Sequence, residues 1–83
     1  MVGMLATSLM GHDKGKIYVI VEETKDAVML ADGKLRPVGK PKKKKKKHIQ
    51  LIKKVVLENQ QLENDLSIQK ALKEYRRRQD VQI

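Results

Sequence analysis

Basic side chains that could contact a polyanion are concentrated in residues 34–48. This stretch holds nine of the 19 Lys and Arg residues and no acidic residue, and six of the nine are consecutive, Lys42 to Lys47. The other ten Lys and Arg residues are balanced by ten Asp and Glu residues, so the stretch accounts for the net charge of +9. Adjacent ammonium groups repel one another, and a dense array of negative charge offsets that repulsion. Nucleic acid is the favoured partner, because neutralised phosphates release condensed counterions.

The lysine run also has interpretations that need no nucleic acid. It can be a solvated, disordered loop, it has the composition of a nuclear-import signal, and it could lie against an anionic membrane surface. The run stands between two predicted strands, which anchor both of its ends, and no acidic residue is nearby in the sequence. For these two reasons we favour contact with RNA, and we expect the loop to be poorly ordered until RNA binds.

The composition argues against several other classes of protein. A chain of 83 residues has room for one domain with a small core. It contains no cysteine, so it can form neither a disulfide nor a thiolate metal site. No apolar run approaches the roughly 20 residues that span a bilayer, and residues 1–10 lack the basic leader of a signal peptide. We therefore expect a soluble, cytoplasmic protein without a membrane span.

We expect no catalytic activity. His12 and His48 have no third ligand or nucleophile at a useful spacing, and no phosphate-binding loop, nucleophile elbow or carboxylate pair is visible. The sequence therefore predicts no metal, no cofactor and no small-molecule substrate. Tyr18 and Tyr75 are the only aromatic residues. Because bases have few rings on which to stack, contacts with RNA should fall on phosphates and sugars.

The first half of the chain has the pattern of β-strands. We predict strands at residues 2–8, 16–22 and 27–31, with Ile17, Val19 and Val21 on one face of the second. The pair Asp32-Gly33 predicts a hairpin turn, after which Leu35 would point inward on a returning strand that Pro37 ends. Residues 48–52 alternate well enough for a closing strand, which we favour, although Ile49, Ile52 and Val56 also have helical spacing. Short strands at this spacing suggest a small barrel.

The last third of the chain has the pattern of helices. A helix can follow the closing strand over residues 53–62, and Asn64-Asp65 then interrupts the pattern. Ser67 is the predicted N-cap of a final helix. In that helix Ile68, Ala71, Leu72 and Tyr75 form an apolar stripe, which should pack on the barrel or on the preceding helix.

The loop Gly11-His12-Asp13-Lys14-Gly15-Lys16 lies between two predicted strands. This loop resembles the KOW motif. Together with Tyr18-Val19-Ile20-Val21, the block Leu30-Ala31-Asp32-Gly33-Lys34-Leu35-Arg36-Pro37 and the run from Lys40-Pro41 to His48, it resembles one group of KOW proteins. These are the small bacterial KOW-domain RNA-binding proteins related to the eukaryotic-type large-subunit ribosomal protein fourteen. The resemblance covers residues 2–52 and, more loosely, residues 71–75. Relatives generally carry arginine where this chain has His12.

The resemblance implies an SH3-like barrel that binds structured ribosomal RNA, as a constituent of the large ribosomal subunit or an associated factor. Residues 1–52 would form the barrel, with a basic loop at 39–47, and residues 53–83 a helical extension. Neighbouring ribosomal proteins would be further partners. KOW loops of other families bind proteins, so an adaptor module for acidic proteins or membrane surfaces is the alternative.

The predicted RNA-binding residues come from the loop, the basic stretch and the last helix. In the loop, glycines at 11 and 15 would let backbone amides approach a phosphate, although they could also serve turn geometry alone. Three consecutive arginines near the C-terminus could bind phosphates or offset the helix dipole. The full set is His12, Lys14, Gly15, Lys16, Lys34, Arg36, Lys40, Lys42, Lys43, Lys44, Lys45, Lys46, Lys47, His48, Arg76, Arg77 and Arg78.

Overall fold

Alternating and β-branched apolar residues build the first three strands where the sequence predicts them. The computed structural model describes residues 1–81. In it β1 comprises Met4–Ser8, β2 comprises Ile17–Glu23 and β3 comprises Ala27–Ala31. β1 pairs antiparallel with β2, and β2 pairs antiparallel with β3. The strands predicted at residues 2–8, 16–22 and 27–31 are confirmed.

The turn at Asp32-Gly33 reverses the chain, but it does not lead directly into a strand. The Asp32 carboxylate accepts hydrogen bonds from the backbone amides of Lys34 and Arg36, at 2.8 and 2.9 Å, and this closes a tight loop. Leu35 lies at the outside of the loop and is 79 % exposed. The prediction that Leu35 points inward on a returning strand is therefore wrong.

The lysine run forms a strand rather than a loop. Lys42–Lys45 make up β4, which pairs antiparallel with β3, and Lys46–His48 form a 3₁₀ helix. The predicted basic loop over residues 39–47 is therefore wrong from Lys42 onward. Lysine is a weak strand former. Here pairing with β3 provides hydrogen-bond partners for the backbone of the lysines. The register also places Lys42 opposite Leu30 and Lys44 opposite Val28, where the aliphatic parts of the lysine side chains can cover apolar surface.

The closing strand is longer than predicted and shortens the helical part. Ile49–Val56 form β5, which pairs antiparallel with β1. The strand predicted at residues 48–52 is confirmed, but the helix predicted over residues 53–62 is wrong for the part that lies in β5. Only a single turn, α1, follows at Asn59–Leu62. Its start is stabilised by reciprocal hydrogen bonds between Glu58 and Gln61, which form a capping box.

The C-terminal helix α2 comprises Asp65–Val81 and begins two residues before the predicted cap. The Asn64 side-chain oxygen accepts hydrogen bonds from the amides of Leu66 and Ser67, at 2.8 and 3.2 Å. Asn64 is therefore the N-cap, and the prediction of Ser67 is wrong. The predicted apolar stripe is confirmed, since Ile68 and Leu72 are buried and Ala71 and Tyr75 pack against the same cluster.

The five strands form one antiparallel sheet in the order β4-β3-β2-β1-β5. In a flat sheet the two outer strands would lie about 19 Å apart. The three residues of the 3₁₀ helix that join β4 to β5 can span only about 15 Å even when extended. The sheet is therefore curled so that its outer strands approach each other, but it is open. The predicted fold class, mainly β with a C-terminal helix, is confirmed at this level.

Apolar side chains form two clusters, one on each face of the curled sheet. The first joins Leu5, Val19 and Ala31 of the sheet to Leu62 in α1, to Ile68 and Leu72 in α2, and to Leu57, which directly follows β5. Ile17 and Val21 pack against it, as their predicted common face requires. The second cluster lies on the opposite face and consists of Ala6, Tyr18, Ile20, Val28, Leu30 and Ile49.

Close backbone contact fixes α2 against the loop after β3. Gly33 has a φ of 82°, and a Cβ atom there would collide with the backbone oxygen of Asp65. The Gln69 side-chain amide donates to the Gly33 carbonyl at 2.7 Å, and the Val38 amide donates to the Asp65 carboxylate at 2.8 Å. Only glycine fits at position 33, because both the conformation and the space exclude a side chain.

Candidate nucleic-acid interface

The loop between β1 and β2 is a tight, internally hydrogen-bonded turn. Gly11 and Gly15 both have a φ of 88°, so their predicted role in turn geometry is confirmed. The amides of Lys14, Gly15 and Lys16 donate to backbone carbonyls of Gly11, Ser8 and Asp13. These three amides are therefore already satisfied. The prediction that amides of this turn bind a phosphate is wrong for them, and Lys14 and Lys16 can contribute only their exposed side chains.

Asp13 is the buried centre of this loop and is 4 % exposed. Its carboxylate accepts hydrogen bonds from the hydroxyl groups of Ser8 at 2.8 Å and Tyr18 at 3.3 Å. It also pairs with the ammonium groups of Lys44 at 2.7 Å and Lys42 at 2.9 Å. One carboxylate thus ties the β1–β2 loop to the lysine strand.

This environment shifts the titration of Asp13 and Tyr18. Burial by itself would raise the pKa of Asp13, but hydrogen bonds from Lys44, Lys42 and Ser8 outweigh that effect and hold the pKa well below its usual range. Burial raises the pKa of Tyr18, and the neighbouring Asp13 carboxylate raises it further. Both shifts keep the cluster as an ionised carboxylate surrounded by donors at neutral pH.

The strand conformation sorts the lysines into two rows. Successive side chains of a strand point to opposite faces, so Lys42 and Lys44 both reach Asp13, and Lys44 also donates to the Met10 carbonyl at 2.6 Å. Lys46, in the following 3₁₀ turn, pairs with Glu23 at 2.6 Å. Its hydrogen bond holds the pKa of Glu23 below the ordinary value. The inference that no acid compensates the run is therefore wrong for these three lysines.

The other row of the run faces solvent. Lys43, Lys45 and Lys47 are exposed, and none of them forms an ion pair with the described side chains, those of residues 1–78. We call these three residues the outward lysines and Lys42, Lys44 and Lys46 the inward lysines. The inward lysines are those that face Asp13 or Glu23. Asp13 lies 29 residues before Lys42, and Glu23 lies 23 residues before Lys46, so the distinction depends on contacts between distant parts of the sequence.

Four of the predicted basic residues meet in a groove between the β1–β2 loop and the loop after β3. This loop groove is lined by His12, Lys16, Arg36 and Lys42, together with Asp13, Tyr18, Asp32 and Leu35. The structure thus brings together side chains from positions 12 to 42 around one concave surface. Lys16, Arg36 and Lys42 bring positive charge to this surface, and the carboxylates of Asp13 and Asp32 offset part of it.

A second groove lies on the other side of the loop after β3, against α2. This helix groove is lined by the basic residues Lys34, Lys70, Lys73 and Arg76, and Asp32 borders both grooves. Sequence reasoning missed Lys70 and Lys73. Their spacing with Arg76 was a usable signal, because residues at i, i+3 and i+6 share one side of a helix.

The remaining predicted residues are distributed over the surface. Lys14 and Lys40 are exposed, and His48 is half-buried at the end of the 3₁₀ helix. The three arginines do not form one patch. Arg76 lines the helix groove, whereas Arg78 lines a different surface depression beside Tyr75 and Val55, and Arg77 is exposed.

Comparison with known proteins gives no assignment of this chain to a family. No protein-family model matches it, and no curated protein matches it significantly. Within residues 1–81, no helix is long and apolar enough to cross a membrane. Among the side chains of residues 1–78, the structure shows no group of three or more His, Asp or Glu residues that could hold a metal ion.

Proposed function

We propose that this protein binds structured RNA through its phosphates, with ribosomal RNA of the large subunit as the target and no enzymatic activity of its own. The resemblance to KOW-domain proteins supports this target, and it also supports reading the curled, open sheet as an SH3-like barrel. The protein would act in the cytoplasm, on the ribosome, as a constituent of the large subunit or an associated factor.

The observation that carries the proposal is the surplus of unpaired cations on one part of the surface. Internal carboxylates neutralise the inward lysines in part, but the outward lysines have no such partner among the side chains of residues 1–78. The loop groove adds Lys16 and Arg36, which are likewise exposed. Cations without internal partners are the ones that gain from releasing the counterions of a polyanion.

A pair of charge-matched double variants tests the proposal. Lys43→Gln with Lys45→Gln removes two outward lysines, and Lys44→Gln with Lys46→Gln removes two inward ones, so both lower the net charge equally. Because the outward lysines have no internal partner among the side chains of residues 1–78, we expect the first variant to bind refolded large-subunit ribosomal RNA about tenfold more weakly at moderate salt. The second should lose much less affinity while it remains folded, but it should unfold more easily.

Filter binding measures the affinities, and urea unfolding monitored by circular dichroism measures the stabilities. Equal affinities for the wild-type protein and the outward variant would refute the assignment of the outward lysines to RNA. Binding of the wild-type protein to anionic lipid vesicles or to an acidic protein, with no binding to the ribosomal RNA, would refute the proposed function and favour an adaptor role.

A further inference from the structure

The loop after β3 presents a leucine to solvent between two basic grooves. Among the side chains of residues 1–78, Leu35 is the most exposed large apolar one, at 79 %, ahead of Leu66 and Val56. An exposed leucine is unremarkable by itself. The position of this one is unusual, because Lys34 on one side lines the helix groove and Arg36 on the other lines the loop groove.

The loop that carries Leu35 is held in one conformation. The Asp32 carboxylate accepts hydrogen bonds from the backbone amides on both sides of Leu35. The Asp32 backbone amide donates a hydrogen bond to the Arg36 carbonyl at 2.9 Å. The Gly33 carbonyl is fixed to α2 by Gln69. A side chain presented by such a loop loses little conformational freedom when it binds a partner, so its contact contributes more to affinity.

Neither tyrosine presents an exposed ring in the two grooves. Tyr18 is buried, with its hydroxyl on Asp13, and Tyr75 packs against the first apolar cluster. The chain contains no phenylalanine or tryptophan. In nucleic-acid complexes aliphatic side chains such as leucine also pack against bases, where they wedge between or beside them. Leu35 stands between Lys34 and Arg36 and so between the two grooves, whereas Leu66, the next most exposed, lines the helix groove alone.

Building on the proposed function, we propose that Leu35 packs against the face of an unpaired base, and that the phosphates on its two sides occupy the two grooves. The protein would then prefer RNA with a bulged or looped nucleotide over a continuous duplex. Charge complementarity supports this arrangement. The negative phosphates on one side of the base would meet Lys34, Lys70 and Lys73, and those on the other side would meet Lys16 and Arg36. The uncharged base, which lies between these phosphates, would then contact the Leu35 side chain.

Two RNA probes and two variants test this inference. The probes are a fully paired RNA duplex and the same duplex with a short uridine bulge. We expect the wild-type protein to bind the bulged RNA about five- to tenfold more tightly. Leu35→Ser should abolish this preference and leave affinity for the paired duplex unchanged. Val56→Ser removes an exposed apolar side chain that lines neither groove, and it should preserve the preference.

The outcomes separate this inference from the proposed function. If the wild-type protein binds neither RNA, the proposed function is wrong. If it binds both RNAs equally, or if Leu35→Ser weakens both to the same extent, RNA binding stands and the role of Leu35 is rejected. Circular dichroism should show the same melting curve for Leu35→Ser as for the wild-type protein, because the side chain is outside both apolar clusters.

Discussion

At the scale of single residues, Asp13 determines which lysines are available to a partner. It draws Lys42 and Lys44 onto one face and leaves their neighbours in the strand exposed. A carboxylate in this position has two effects on binding. It removes cationic charge from the surface, and it fixes the strand that presents the remaining charge.

Replacing Asp13 with asparagine should destabilise the fold and change its response to acid. The variant leaves two ammonium groups side by side without a counter-ion, and Lys44 is nearly buried. We expect a loss of about 3 kcal/mol in the free energy of unfolding at pH 7. Urea unfolding measures it, and Asp26→Asn serves as control because Asp26 is exposed and forms no ion pair with the side chains of residues 1–78.

The acid response follows from the lowered pKa of Asp13. A carboxyl group whose pKa is lower in the folded state stabilises the protein fully above its unfolded pKa, ordinarily 3.8, and progressively less below it. Wild-type stability should therefore fall as the pH drops below about 4, and Asp13→Asn should lack this part of the decrease. Parallel pH profiles for the two proteins would show that Asp13 carries no such stabilisation.

At the scale of secondary-structure elements, the start of α2 is set by a side chain that sequence reasoning overlooked. Asn64 caps the helix, and the helix in turn buries Ile68 and Leu72 on the sheet. Ser67 is an equally suitable residue type, but it lies inside the helix. Local pattern alone did not distinguish the two, because both precede the same apolar stripe.

Substitution by alanine at these two positions should give unequal results. Asn64→Ala removes the acceptor for two helix amides and should lower the free energy of unfolding by about 1 kcal/mol. Ser67→Ala should change it by less than about 0.5 kcal/mol, since alanine is a good helix former and no cap is lost. Thermal and urea unfolding measure both values. A larger loss for Ser67→Ala would mean that α2 begins later than Asp65.

The elements that could be predicted from the sequence are those with a local signature. β1 to β3 have apolar and β-branched residues, and α2 has a stripe at helical spacing. β4 has no such signature, because its lysines become a strand only through pairing with β3 and through acids supplied by other parts of the chain. The same applies to the site. The basic residues could be identified, but their division into inward and outward rows depends on contacts between distant segments.

At the scale of the whole molecule, the two grooves and the outward lysines place cations on several neighbouring surfaces. Binding that depends on so many phosphate contacts should weaken steeply with salt, with a log–log slope of about −0.7 to −0.9 for each phosphate engaged. A flat salt response would be incompatible with the electrostatic account, whichever RNA is used.

Sedimentation of cell extracts in density gradients tests the proposed place of action. At low salt the endogenous protein should migrate with large ribosomal subunits, because the phosphate contacts are intact. At high salt it should move to the top of the gradient, as counterions replace the lysines. The variant with Lys43→Gln and Lys45→Gln should be released at lower salt than the wild-type protein. Migration at the top of the gradient under every condition would contradict a ribosomal role.

The position of β4 has a consequence for how copies of the protein meet one another. β4 is an outer strand of the sheet, and strands in that position can recruit a strand from another molecule. If two copies joined there, a row of ammonium groups would be brought against an identical row, and like charges across paired strands are unfavourable. The positive charge of the lysines thus disfavours pairing between the β4 strands of two copies. A polyanion that neutralised these charges would weaken the repulsion, so several copies could bind next to one another along the same polyanion.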